Sequence, residues 1–191
     1  MNPRFEPTPA QGLPSRLQQT AETGLLIALS LALSQFRLFE LPAGGSLSLG
    51  GLPLLLLAAR RGVKRGVAAG LLAGLLLTLR RPFIVHPVQF LLDYPLAHGA
   101  LGLAGILRWK SPGNAATAVT FACSLRLLCH VTAGVVFFSD PASDLSAAIV
   151  TSSIYNLGHM IPETVVSAGL AAWLAARHPE LTRAAGTTGE A

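Results

Sequence analysis

A chain of 191 residues that is 51% hydrophobic and only 12% charged, with a mean hydropathy of +0.55, carries far more apolar material than a soluble domain of this size needs for its core. This excludes an ordinary water-soluble globule and points to lipid as the main solvent. A net charge of +5 raises nucleic acid as a partner, a question that the placement of the charges decides.

In chain order, residues 1–20 are polar and contain several prolines. They lack the charged start, apolar run and cleavage site of a signal peptide, so a retained, disordered cytoplasmic segment is expected. Apolar segments follow at about 22–39, 47–59, 66–80, 88–107, 115–138 and 146–176. They predict an all-α membrane bundle of six transmembrane helices in one domain, 21–177, followed by a cytoplasmic tail, 178–191, largely disordered from about Pro179. The second and third segments are short of the roughly 20 residues that a span needs, which implies a tilted or shielded hairpin. Six spans leave both termini on one side. Arg4, Arg16, Arg60, Arg61, Lys64, Arg65, Arg108, Lys110, Arg177 and Arg183 fall on that side, against Arg37, Arg80 and Arg81 on the other. By the positive-inside rule both termini are cytoplasmic in a multi-pass protein, and the basic excess reports topology, with no nucleic-acid role.

Small residues recur at helical spacing. Gly62, Gly66, Gly70 and Gly74 form a ridge on the third segment, read as internal packing. Gly24, Ala28 and Ala32 repeat the spacing on the first, where internal packing and a partner protein are equally good readings. Cys123 and Cys129, six apart in one helix, fall on different faces and are read as packing residues.

Polar side chains inside the spans are costly unless they face a cavity or one another. The fourth segment carries Gln89 and Asp93 on one face, then Tyr94 and His98. The fifth carries Arg126 and His130. The sixth carries a stripe of Ser152, Asn156, His159 and Glu163, with Pro162 as an expected kink. At about 1.5 Å of rise per residue, Asp93, His130 and Asn156 lie roughly 8, 12 and 15 Å below the outer surface. This convergence predicts an outward-opening pocket for a small polar molecule. His159 and Glu163, lying deeper, are read as structural, and Arg126 as an ion-pair partner holding Asp93 or the pocket together.

An intramembrane enzyme using Asp93, His130 and Glu163 as acid, base or metal ligands is disfavoured. No H-E-x-x-H motif is present, and His159 and Glu163 form a bare pair across a proline. No catalytic residue, metal or cofactor is expected. The sequence has no G-x-x-x-x-G-K-[ST] loop, so energy for transport would come from a partner or a gradient, the latter being the case of a stand-alone secondary carrier.

The run GGSLSLGGLPLLLLAARRGVKRGVAAGLLAGLL from Gly44 to Leu76, then QFLLDYPLAHGALGLAGIL from Gln89 to Leu107, resembles the thiamine-specific S components of energy-coupling-factor transporters. The stretches from Arg126 to His130 and from Gly134 to Phe138 resemble that family's fifth helix. The resemblance covers about residues 20–177 and implies a six-helix bundle in the cell membrane that captures thiamine from outside with high affinity. Transport would require a transmembrane coupling subunit and two cytoplasmic ATPases. By the same resemblance His130 and Asn156 stand at the binding-site histidine and asparagine, and Asp93 and Tyr94 match a Glu-Tyr pair. Phe138 stands where a tryptophan is often found, and Thr151 where a stacking tyrosine can be. Gln89 and Arg126 support the pocket, Ala28 and Ala32 face the coupling subunit, and 39–46 forms a gate in which Gly44 replaces a tryptophan. A thiamine precursor or related heterocycle fits the same chemistry: a carboxylate and aromatic faces suit a cationic thiazolium, and Asp93, His130 and Asn156 suit an aminopyrimidine.

Overall fold

The computed structural model describes residues 15–40, 45–79 and 83–182. Gly44 and half of the expected gate (41–44), Arg4, Arg80, Arg81 and Arg183 lie outside them. The first helix, Ser15–Leu33, begins ahead of the expected edge at residue 21 and stops well before 39. Ile27 and Ser30 form its buried face, and the Ser30 hydroxyl donates to the Gly50 carbonyl at 2.6 Å. Beyond it the expected helix is replaced by a small antiparallel hairpin, Arg37–Glu40 paired with Ser46–Ser48. Leu47 is buried between two half-buried serines in the second strand, the alternation that a one-sided strand requires.

The second helix, Gly51–Arg61, and the third, Val63–Leu77, are joined by Gly62 alone. Its φ of 79° lies in the left-handed region where a side chain is strained. Gly62 is therefore the turn, not a member of the packing ridge. Gly66, Gly70 and Gly74 are that ridge, and they lie against the fourth helical rod. A Cβ on Gly70 would strike the His98 carbonyl and stand 2.9 Å from Gly99 Cα, and one on Gly74 would strike the Tyr94 carbonyl and stand 2.7 Å from Pro95 Cα. Backbone lies directly on backbone here, the close approach that holds helices together in lipid.

The fourth rod changes winding as it goes: α over Pro87–Leu91, π over Leu92–Leu96, α over Ala97–Leu101 and 3₁₀ over Gly102–Ile106. Pro95 sits inside the π turn, where its missing N–H and bulky ring disturb the ordinary i to i−4 ladder. The fifth helix, Pro112–Phe137, is capped by Ser111, whose hydroxyl accepts the Asn114 N–H. Among the described residues it is the one helix that passes as a membrane span by length and composition alone. The sixth, Leu145–Arg177, starts on Asp144 and runs through Pro162. The fifth and sixth pack extensively along each other.

A short turn, Pro179–Thr182, follows. It is docked, contrary to the disorder expected of the tail from about Pro179. Thr182 is buried, and one Arg60 nitrogen donates to the carbonyls of Glu180 at 3.1 Å and Leu181 at 2.9 Å. The Glu22 carboxylate pairs with Arg60 and Arg61. The early first helix, the turn at Gly62 and the end of the sixth helix therefore meet at one pole, so the described ends of the chain lie on the same side.

Burial runs opposite to that of a soluble protein. Leu25, Leu79, Val136, Ile154, Val165 and Trp173 are each more than half exposed, while Gln89, Ser152, Asn156, His159, Glu163 and Ser167 are buried. In water such an outer surface would be a large unpaired apolar patch; in lipid it is the solvated face, and the polar groups bond one another inside. The fold is the membrane helical bundle predicted, with the hairpin as an added element.

Candidate functional site

The site begins at the π turn. Asp93 lies in its first residues, and its Oδ1 meets His130 Nδ1 of the fifth helix at 2.9 Å. The other oxygen, Oδ2, accepts from Gln89 Nε2 at 2.8 Å. The side chains of Asp93 and His130 remain 18% and 17% exposed, enough for a ligand to reach them. A carboxylate held by two donors on two helices keeps one rotamer, and it presents negative charge without a permanent cation beside it.

The segment before the fourth rod completes one wall. Prolines 82 and 87 frame the run Phe83-Ile84-Val85-His86, and His86, preceding Pro87, is extended at φ −157°, ψ 145°, as a residue before proline tends to be. The Phe83 N–H donates to the Tyr94 hydroxyl at 2.9 Å. The Phe83 ring stacks on Phe138 with centroids 5.7 Å apart, and His86 stacks on Phe137 at 4.9 Å. Phe83 is not singled out by the sequence; Pro87, which favours an extended His86 before it, is the available signal. Tyr94 and Phe138 thus join Asp93 and His130 in one cluster.

Asn156 approaches from the sixth helix one turn further along the fifth. It donates to the Ser152 carbonyl at 2.9 Å, while Ser152 donates to the Val131 carbonyl at 3.0 Å. Both pack on Gly134, where a Cβ would strike the Ser152 hydroxyl and stand 3.7 Å from the Asn156 amide nitrogen. Thr151 is exposed; five residues from Asn156, it faces about 140° away around the helix and is not brought into this cluster. Tyr155, which sequence reasoning passed over, accepts the Gly45 N–H at 2.7 Å and anchors the hairpin to the sixth helix.

Arg126 does not hold Asp93. Its guanidinium donates to Glu163 Oε1 at 2.5 Å, and His130 holds Asp93 instead. Spacing along the fifth helix showed that Arg126 needed an acid without showing which helix supplies it. The pair lies beside Gly51, where the second helix starts, and Glu163 is 5% exposed on its side chain. That seals it from ligand and supports the structural reading of Glu163. Among the described residues no group of three metal-binding side chains occurs. A separate groove of about 440 Å³ between the fifth and sixth helices, lined by Cys123, Leu127, Met160 and Thr164 among others, contains none of the cluster. On the first helix Gly24, Ala28 and Ala32 all face outward, and among the described residues nothing lies within 4 Å of a Cβ placed on Gly24.

Residues 20–183 match the family described as Thiamine transporter protein. The thiamine transporter ThiT of Bacillus subtilis (strain 168) is 31% identical over 142 residues, covering 68% of this chain and 74% of that protein. Its counterpart from Lacticaseibacillus paracasei is 27% identical over 162 residues, covering 76% and 81%. A solved structure of ThiT from Listeria monocytogenes superposes with a TM-score of 0.76 at 25% identity, over 89% of this chain and all of that one.

Proposed function

The chain belongs to the Thiamine transporter protein family, and from that membership we propose that it captures thiamine outside the cell as the substrate-binding subunit of an energy-coupling-factor importer. The observation that carries this reading is the half-open Asp93–His130 pair beside the stacked rings of Phe83 and Phe138. A carboxylate and aromatic faces together attract a flat cation such as a thiazolium. His130, Asn156 and the Asp93 carboxylate supply the donors and acceptors that an aminopyrimidine needs. Gln89 holds the pocket's carboxylate, and Arg126 braces the helices below it. The outward stripe of Ala28 and Ala32 supports docking of a transmembrane coupling subunit, which with two ATPases would supply the energy. Both termini are read as cytoplasmic.

Calorimetry on detergent-purified protein tests the proposal. Thiamine binds the wild type, and Asp93→Asn and His130→Ala each weaken it at least about tenfold, or 1.4 kcal/mol. A wild type that ignores thiamine and binds a precursor reassigns the ligand. Unchanged affinity in both variants removes these residues from the site. Uptake without coupling subunits would make the protein a stand-alone carrier.

A further inference from the structure

Gln89 is 1% exposed and uses both ends of its amide. Its Oε1 accepts the Val85 N–H at 3.1 Å, and its Nε2 donates to the Phe83 carbonyl at 3.2 Å and to Asp93 Oδ2 at 2.8 Å. These partners fix which way the amide points, since the backbone N–H needs the oxygen and the carbonyl and carboxylate need the NH₂. The backbone of 83–85 belongs to no helix or strand, so Gln89 and Tyr94 supply the hydrogen bonds that a neighbouring strand would otherwise give. One side chain therefore bonds the carboxylate of the site and the segment that presents Phe83 to Phe138.

We infer that Gln89 is a positioning residue that locks Asp93 and Phe83 into one unit, so that the charged and aromatic halves of the site form or fail together. The consequence for ligand rests on the thiamine-binding reading; the mechanical coupling does not. Gln89→Met keeps the length of the side chain and removes both the acceptor and the donor ends of its amide, and Gln89→Asn keeps the amide but shortens its reach, guarding against a variant that does not fold. In ligand-free protein either change speeds hydrogen exchange at the Val85 amide at least about tenfold while the melting midpoint moves little. Thiamine affinity falls about tenfold, and adding Asp93→Asn costs less than the product of the two separate losses, because both act on one carboxylate. Unchanged Val85 exchange, or affinity losses that simply multiply, overturns the inference. If the wild type does not bind thiamine, the functional reading falls alone and the Val85 exchange decides the role of Gln89.

Discussion

Removing either member of the Arg126–Glu163 pair should be among the most damaging single changes to stability. The two side chains are 14% and 5% exposed and meet at 2.5 Å. Among the described residues Arg126 Nε and Glu163 Oε2 have no hydrogen-bond partner, so each ion depends chiefly on the other. Breaking a buried pair leaves an uncompensated charge and costs about 3–5 kcal/mol. For a chain of this size about 2–4 °C of melting temperature accompanies each kcal/mol, so Glu163→Gln or Arg126→Met alone lowers the midpoint by about 6–20 °C. The double variant Arg126→Met with Glu163→Met removes both charges while keeping bulk, and it recovers most of that loss, because apolar replacements of a buried pair are often neutral or stabilising. Thermal unfolding followed by tryptophan fluorescence in detergent measures all three, with thiamine titrations alongside. Single losses below about 1 kcal/mol, or a double variant as damaged as the two singles added, would refute the reasoning. If the double variant refolds to wild-type stability yet no longer binds thiamine, the pair belongs to the site and is not a brace beneath it.

Other tests are simpler. Gly70→Ala drives a methyl into the His98 carbonyl and costs about 1–3 kcal/mol, whereas Gly24→Ala meets nothing and gains up to about 1 kcal/mol; equal shifts in thermal midpoint would contradict the assigned ridge. The N–H of Ala147 and then the Ser146 hydroxyl hold the Asp144 carboxyl below its usual range. That cap is intact above the ordinary aspartate range and is lost as pH falls through the depressed value, so Asp144→Asn should flatten the acid end of a stability-against-pH curve. Ala28→Trp and Ala32→Trp should abolish co-purification with a coupling subunit and leave thiamine binding near normal; loss of binding would make the stripe an internal surface.

The sequence made the bundle legible because lipid imposes long apolar runs, and it made Asp93 and His130 legible because a polar group in such a run needs a reason. The glycine ridge was equally plain, since only backbone contact calls for glycine every four residues. Other features depended on geometry between elements. The hairpin at 37–48 hid inside apolar segments because strands of four and three residues are too short to show a period. Arg126 reads as an ion-pair partner of Asp93 or of the pocket at large, and the choice of Glu163 over Asp93 is made across helices. Phe83 enters the cluster through backbone that belongs to no helix or strand and is held by Gln89 and Tyr94, a contact with no helical spacing to reveal it. Thr151 was chosen by alignment of position, and the turn of the sixth helix points it elsewhere.

The inverted burial has a practical consequence. The interior is held by glycine contacts, a few leucines and a bonded polar network whose members Gln89, Asn156 and Glu163 are buried. Leu25, Leu79, Val136, Ile154 and Val165 face outward and serve mainly to match that solvent. Exchanging this outer layer for glutamate, lysine and glutamine at helix-compatible positions would leave the interior contacts in place. The protein is thus a natural starting point for a water-soluble redesign, in which the Asp93–His130 cluster and the binding proposed for it can be studied without detergent.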